Sequence, residues 1–193
     1  ILAEDIKLDK GKVRGKIKVS YKPQYLSVSK KRVAEVLKDA IKKYDVELIR
    51  PLQLKQVFDR KLDELSGGEL QRVSIALCLS KKADMYLLDE PSAYLDVEQR
   101  LRVARMIKDI MEKRGSSALV VDHDILFIDY LSNNLLVFQG DPAVNGMANG
   151  TFSMEEGMNL FLKELNISLR RDKESSRPRI NKLDSVLDRE QKS

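Results

Sequence analysis

Two acidic residues, Asp89 and Glu90, close a short apolar run, MYLL, and are followed by Pro91. Read as a buried strand, such a run is rigid and dry, and its C-terminal edge faces the usual ligand crevice of an open α/β sheet. One carboxylate at that edge can hold a magnesium ion, directly or through water. The next residue points the other way across the pleat, where a second carboxylate can orient an attacking water and accept its proton. Two adjacent acids on a surface loop would mean little. The apolar strand in front of them gives the pair its direction.

Three other places add to this. Ser66, Gly67 and Gly68 precede a helical pattern, so free backbone N–H groups and the positive end of a helix dipole can face an anion, and the glycines let backbone approach closely. A lone SGG, by contrast, is usually a loop. Gln24, in YKPQY just after a strand, can offer its amide oxygen to a metal or stand as an exposed loop glutamine. His123, in VVDHD, is the only histidine of the chain. A lone histidine near a core is commonly structural, yet this one follows a second buried strand. If that strand runs parallel to the one bearing Asp89, both residues reach the same sheet edge.

The elements that must position these groups follow from the hydrophobic pattern. KIKVSY at 16–21 alternates as a half-buried strand does. A helix is expected over 29–44, with Val33, Val36, Leu37, Ala40, Ile41 and Tyr44 on one face and Ser29 as its N-cap. A shorter helix is expected from near Pro51, and another over 68–80. DMYLLD at 84–89 reads as a strand covered on both faces. A helix over 97–113 carries Val97, Leu101, Ala104, Ile107 and Met111 on its inner stripe and ends at Gly115. SALVVD at 117–122, a short helix at 124–131 and the strand LLVF at 135–138 complete an alternation of strand and helix, the signature of an α/β domain with a mainly parallel sheet. Residues 139–153 read as a loop and 154–165 as a helix. Beyond Asn166 the polar, arginine-rich RRDKESSRPR shows little sign of regular structure.

Composition sets the bounds. The chain has 193 residues, 42% hydrophobic and 34% charged, enough for one globular domain with a tail. A single cysteine, Cys78, rules out a disulfide framework or a four-cysteine metal cluster within the chain. Its apolar neighbours suit a buried, inert thiol. No apolar run comes near the roughly 20 residues of a membrane span, and no signal peptide opens the chain, so a soluble, cytoplasmic protein without a membrane partner is expected. Net charge is +5, and residues 1–32 hold ten basic against three acidic residues. That excess suits either a phosphate-backbone contact or a solvated, lysine-rich sheet edge.

Taken together, the motifs resemble the nucleotide-binding domain of ABC-type ATPases, a P-loop NTPase-like fold. A Q-loop glutamine at 24, LSGGE at 65–69, a Walker B strand MYLLDE at 85–90, a D-loop SAYLD at 92–96 and a switch histidine at 123 stand in the family's order. The resemblance implies ATP and Mg2+ as ligands. Asp89 and Gln24 would serve the magnesium, Glu90 would polarise the hydrolytic water, and His123 would contact the γ-phosphate. Ser66, Gly67 and Gly68, with Glu69 completing the signature, would grip a nucleotide held by a different domain. Asp96 would link the two composite sites. Gln24 and Ser66 are 42 positions apart, which leaves no room for the long coiled coil of chromosome-cohesion ATPases.

DEPSAYLDVEQRL, DYLSNNLLVFQGDP, EEGMNLFLKELNISLRRD, RPRINK and DREQK are similar to the second nucleotide-binding domain of the ABC class E ribosome-recycling family, also called the RNase L inhibitor family. The similarity runs from about Tyr21 to the C-terminus. It implies a domain over 1–165 with a helical signature subdomain at about 29–80, and a C-terminal segment at 166–193. That segment packs as a hinge, touches ribosomal RNA, or is a solvated terminus. It further implies a translation ATPase that splits ribosomes into subunits. Its partners would be a first nucleotide-binding domain of the same parent protein, the small ribosomal subunit with its RNA, and release or rescue factors. An iron–sulfur cluster would belong only to an N-terminal region of that parent lying outside this chain. Asp122 stands where the family usually has glutamate, and the charge is kept. The alternatives are the ATP-binding subunit of a membrane transporter, which SAYLDVEQR and the C-terminal segment disfavour, and a non-catalytic binding module.

No G-x-x-x-x-G-K-[ST] occurs in the sequence. The glycine-rich NGMANGTF at 145–152 has no lysine. In the family the phosphate loop precedes the Q-loop by roughly 35–50 residues, the length of a strand, loop and helix, whereas 23 residues precede Gln24. The expectation is a fragment that starts after the phosphate loop and is inactive by itself.

Overall fold

The computed structural model describes residues 17–25, 28–141, 144–163, 169–172, 178–181, 185, 186 and 189. The chain divides into two units, Ile1–Leu131 and Ser132–Ser193, with the boundary inside the domain expected over 1–165. The first sixteen residues of the basic segment, residues 164 and 165 of the expected helix, and most of the arginine-rich tail lie outside the described residues.

In the first unit three parallel strands, β1 (Val19–Lys22), β2 (Met85–Asp89) and β3 (Ser117–Val121), lie in that order. Their register pairs Lys22 with Leu88 and Asp89 with Val121, so all three strands end at one edge. Between β1 and β2 the chain is helical: α1 (Val33–Val36), α2 (Lys38–Lys43), a π-helical turn Asp45–Ile49, 3-10 turns Lys55–Val57 and Leu62–Glu64, and α3 (Gly67–Ser80). α4 (Val97–Arg114) joins β2 to β3, and α5 (Ile125–Leu131) follows. The α/β class and the parallel sheet are as expected.

α3 is the central helix. Val73, Ile75, Ala76, Cys78 and Leu79 are buried, and so are the polar Gln71, Arg72 and Ser74. Its start is fixed by a reciprocal cap: the Glu69 carboxylate accepts from Ser66 N (2.8 Å) and Ser66 Oγ (2.9 Å), and Ser66 Oγ accepts from Glu69 N (3.4 Å). α4 is capped by Asp96, which accepts from Gln99 N at 2.8 Å. It ends at Gly115, whose φ of 59° is the left-handed conformation that glycine tolerates.

Four expectations for this unit need correction. The helix over 29–44 begins only at Val33 and breaks at Leu37. Ser29 is not its N-cap. Arg32 is bridged to Lys61, and Val33 N donates to Arg60 O (3.0 Å), which holds the chain extended up to Arg32. The apolar face was nevertheless read correctly, since Val33, Leu37 and Ala40 are buried. Pro51 opens no helix and lies in a turn after the π-helical segment. On α4 the buried residues are Val103, Ala104, Met106, Ile107 and Ile110, so Ala104 and Ile107 are buried as expected, while Val97 (73% exposed) and Leu101 (47%) face outward. The sequence carries two overlapping apolar stripes there, and packing uses the one with i, i+3, i+4, i+7 spacing. The sheet faces also differ. β1 buries Ser20 and Lys22 and leaves Tyr21 exposed, and β2 buries Tyr86 and Leu88 while Met85 and Leu87 are half-buried. One face of the sheet is closed and the other is half-open.

The second unit pairs β4 (Asn134–Gln139) with β5 (Met147–Ser153) in antiparallel fashion. LLVF therefore does not complete the parallel sheet, and 147–153 is strand rather than loop. A connection of seven residues suits a hairpin, whereas a parallel neighbour needs a crossover of a dozen or more. α6 (Met154–Lys163) starts on a second reciprocal cap between Ser153 and Glu156. Its Gly157 lies against β4, where an added Cβ would fall 2.7 Å from Leu135 Cβ. In the tail, β6 (Leu169–Arg171) and β7 (Pro178–Ile180) form a short antiparallel ladder that the sequence did not signal.

Candidate active site

The loops that leave β1, β2 and β3 converge at the C-terminal edge of the sheet. Glu90 follows β2 with a φ of 46°, a left-handed backbone that non-glycine residues rarely adopt. Its N–H donates to Val121 O at 2.7 Å, and its C=O accepts from Gln71 Nε2 at 2.6 Å. Strand β3 and helix α3 thus grip the same residue from two sides. Its carboxylate accepts from Gln24 Nε2 at 2.9 Å. His123 Nδ1 stands 3.7 Å from Glu90 Oε1, beyond hydrogen-bond reach, with its ring 76% exposed. Gln24, Glu90, Ser92, Tyr94 and His123 line an open cleft of ≈ 440 Å³.

Asp89 points away from this cluster, as the pleat requires, and its Oδ2 lies 3.5 Å from the Tyr21 hydroxyl. Its carbonyl accepts from Lys22 Nζ at 2.7 Å. Burial pushes the Lys22 ammonium below its ordinary pKa, and the neighbouring Asp89 carboxylate works in the opposite direction. Asp122 accepts from Ser92 N (3.0 Å), Ser92 Oγ (2.8 Å) and Asp124 N (2.9 Å), which ties the segment after Glu90 to the loop carrying His123.

The signature residues form a separate surface. Gly67 and Gly68 lie under Tyr94, itself at φ 62°. A Cβ on Gly68 would sit 2.8 Å from Tyr94 O, and one on Gly67 would sit 3.1 Å from the Tyr94 ring. The Glu69 carboxylate is committed to Ser66 and to Arg60, whose Nη1 reaches both its oxygens (2.8 and 2.9 Å), so it shapes the turn and presents its charge to its own helix start. Asp96 caps α4.

Comparison with known proteins fits this geometry. The ABC transporter family model matches residues 2–93. An ABC transporter ATP-binding protein of Methanocaldococcus jannaschii is 51% identical over the whole chain and 33% of its own length. The ABC transporter E family member 1 of Arabidopsis thaliana is 45% identical over 91% of the chain and 30% of its own length. The chain belongs to ABC class E. The crystal structure of an archaeal ribosome recycling factor in complex with a ribosomal stalk protein superposes with a TM-score of 0.90 at 49% identity, over 99% of this chain and 38% of that one. The chain spans about one third of the length of these two relatives.

Class E membership implies Mg–ATP. The Asp89 carboxylate and the Gln24 amide oxygen are oxygen donors of the kind a hard cation takes, with Gln24 turning its nitrogen to Glu90 and Asp89 facing Tyr21. Among the described residues no three His, Cys, Asp or Glu gather into a metal cage. Magnesium held by one or two protein oxygens plus phosphates and water does not need one. No described helix is long and apolar enough to cross a membrane.

Three residues that touch the candidate site were not singled out from the sequence. Lys22 in YKPQ was passed over as one lysine in a basic run, although an ionic residue on a strand two positions before a loop glutamine was a usable signal. Gln71 falls one turn beyond the signature glycines, and helical spacing alone places it over them. Tyr94 was read only as part of the D-loop SAYLD, and its left-handed backbone over the signature glycines is visible only in the structure.

Proposed function

We propose that this chain is the second nucleotide-binding domain of a ribosome-recycling ATPase and supplies half of a shared ATP site. The observation that carries the reading is the convergence of Gln24, Glu90 and His123 on one cleft beside Asp89. In this reading Glu90 accepts the proton of the attacking water, Gln24 holds the Glu90 carboxylate and offers its oxygen to magnesium, and His123 meets the γ-phosphate. Asp89 serves the metal, which supplies charge neutralisation on the phosphates when bound. Ser66, Gly67 and Gly68 face the γ-phosphate of a nucleotide carried by the first nucleotide-binding domain of the same protein, and the phosphate-loop cradle comes from protein outside these 193 residues. Asp96 couples the two sites. ATP then favours closure of the two domains, and hydrolysis releases it. Relatives, among them an archaeal ribosome recycling factor and a yeast translation initiation factor, support the small ribosomal subunit and release or rescue factors as partners.

The test is Glu90→Gln in the full-length protein, with phosphate release and inter-domain distance followed together. Turnover should fall roughly 10²–10⁴-fold while ATP-dependent closure persists. Near-normal turnover would remove Glu90 as the base. Co-purification with membrane-spanning subunits, and none with ribosomes, would favour a transporter instead.

A further inference from the structure

We propose that Lys22 is a positioning residue for the hydrolytic step, holding the peptide group that aims Glu90. The inference rests on the reading of Glu90 as the base. Lys22 lies on the closed face of β1 at 1% exposure. A buried charge is costly unless something uses it, and a methionine of similar length would fill the same space. The ammonium donates to Asp89 O (2.7 Å) and to Pro23 O (3.0 Å).

Those two carbonyls mark the feet of the pair that matters. Pro23 immediately precedes Gln24, Asp89 immediately precedes Glu90, and the two side chains meet at 2.9 Å. One cation therefore fastens both backbone segments from below while the amide and carboxylate join above. The Asp89–Glu90 peptide group is also pinned at its other end, where Glu90 N donates to Val121 O. β1 and β3, flanking β2 on either side, hold the two ends of one peptide plane just before the left-handed turn at Glu90. Without the ammonium, the carbonyl loses a fixed donor and the turn loses half its anchor. A displacement of about 1 Å at a reacting group can cost 10²-fold in rate.

The experiment is a double-mutant cycle in the full-length protein with Lys22→Met, Glu90→Gln and the combination, with Ser20→Ala as control. Ser20 lies on the same buried face and donates to Cys78 O at 2.8 Å. Lys22→Met is expected to lower kcat by about 10–100-fold with KM for ATP within about twofold, and to speed amide exchange at residues 89–92. Ser20→Ala should leave kcat near wild type. In the Glu90→Gln background Lys22→Met should cost nothing further, because groups acting through one another are non-additive. If Lys22→Met does not fold, Lys22→Gln enters the same cycle with the same expectation. Wild-type kcat in the Lys22 variant, an equal loss in Ser20→Ala, or a full additional loss on top of Glu90→Gln would each overturn the proposal. Retained turnover in Glu90→Gln alone would instead overturn the reading beneath it.

Discussion

Gly67 and Gly68 have ordinary backbone angles, so they are not glycines because of their own conformation. The reason is Tyr94. Alanine in the first turn of a helix gains up to about 1 kcal/mol over glycine in helix propensity, and this gain competes with the contact each new Cβ makes. On Gly67 the Cβ meets the exposed Tyr94 ring at 3.1 Å, which can swing aside. On Gly68 it meets the Tyr94 carbonyl at 2.8 Å, and backbone must move. Urea unfolding should therefore find Gly67→Ala within about 0.5 kcal/mol of wild type and Gly68→Ala destabilised by about 1–3 kcal/mol. Equal effects would show that Tyr94 does not set this constraint. At this scale the candidate residues were legible in the sequence, since a carboxylate pair after an apolar run, a loop glutamine and a single histidine announce themselves by type and place. The sequence did not show what holds them. Lys22 and Gln71 act through carbonyls of residues 67 and 19 positions away, and the left-handed turn at Glu90, at about 1–2 kcal/mol, leaves no trace in residue type.

Elements were legible where their ends carry their own chemistry. α3 and α4 begin at Ser66 and Asp96 and α4 stops at Gly115, as their caps dictate. The helix over 29–44 failed because its start is set by Lys61 and Arg60, which lie far along the chain. β1 is half-buried as its alternation suggests, but the buried side carries Ser20 and Lys22, because alternation fixes a period and not which side meets the core. The α3 cap yields a pH prediction. Burial tends to raise the Glu69 pKa, but hydrogen bonds from Ser66 and the Arg60 charge outweigh it and hold it below the ordinary value of 4.5. The folded pKa lies below the unfolded one, so Glu69 contributes stability above pH 4.5 that is lost as pH falls through the folded pKa. Chemical denaturation from pH 7 to pH 3 should show Glu69→Gln less stable than wild type at neutral pH, with the gap narrowing below pH 4.5. A gap that stays constant would mean the charge is not what the cap uses. Ser66→Ala should cost about 0.5–2 kcal/mol.

At the scale of the whole molecule, the proposed reading puts the hydrolytic residues and the phosphate cradle on different protein. The described residues bring Glu90, Asp89 and His123 to one edge, and the signature glycines lie under Tyr94, which also lines the cleft. The sequence offers no glycine-rich loop with lysine to wrap a triphosphate. Phosphoryl transfer is governed by positioning and by neutralising phosphate charge, so a well-placed carboxylate has nothing to act on until the phosphates are cradled. In the proposed cycle ATP would also have to favour a closed pair of domains by about 5.5 kcal/mol to move it from 1:99 to 99:1, with this chain supplying one face. The purified 193-residue chain should therefore show no ATP turnover above that of a matched Glu90→Gln preparation, with [γ-32P]ATP as the probe. The full-length protein under the same conditions should show turnover that Glu90→Gln removes. Brisk, Glu90-dependent turnover by the chain alone would mean that it carries a phosphate cradle of its own. The division of labour between two domains would then be wrong, whatever the role of Glu90.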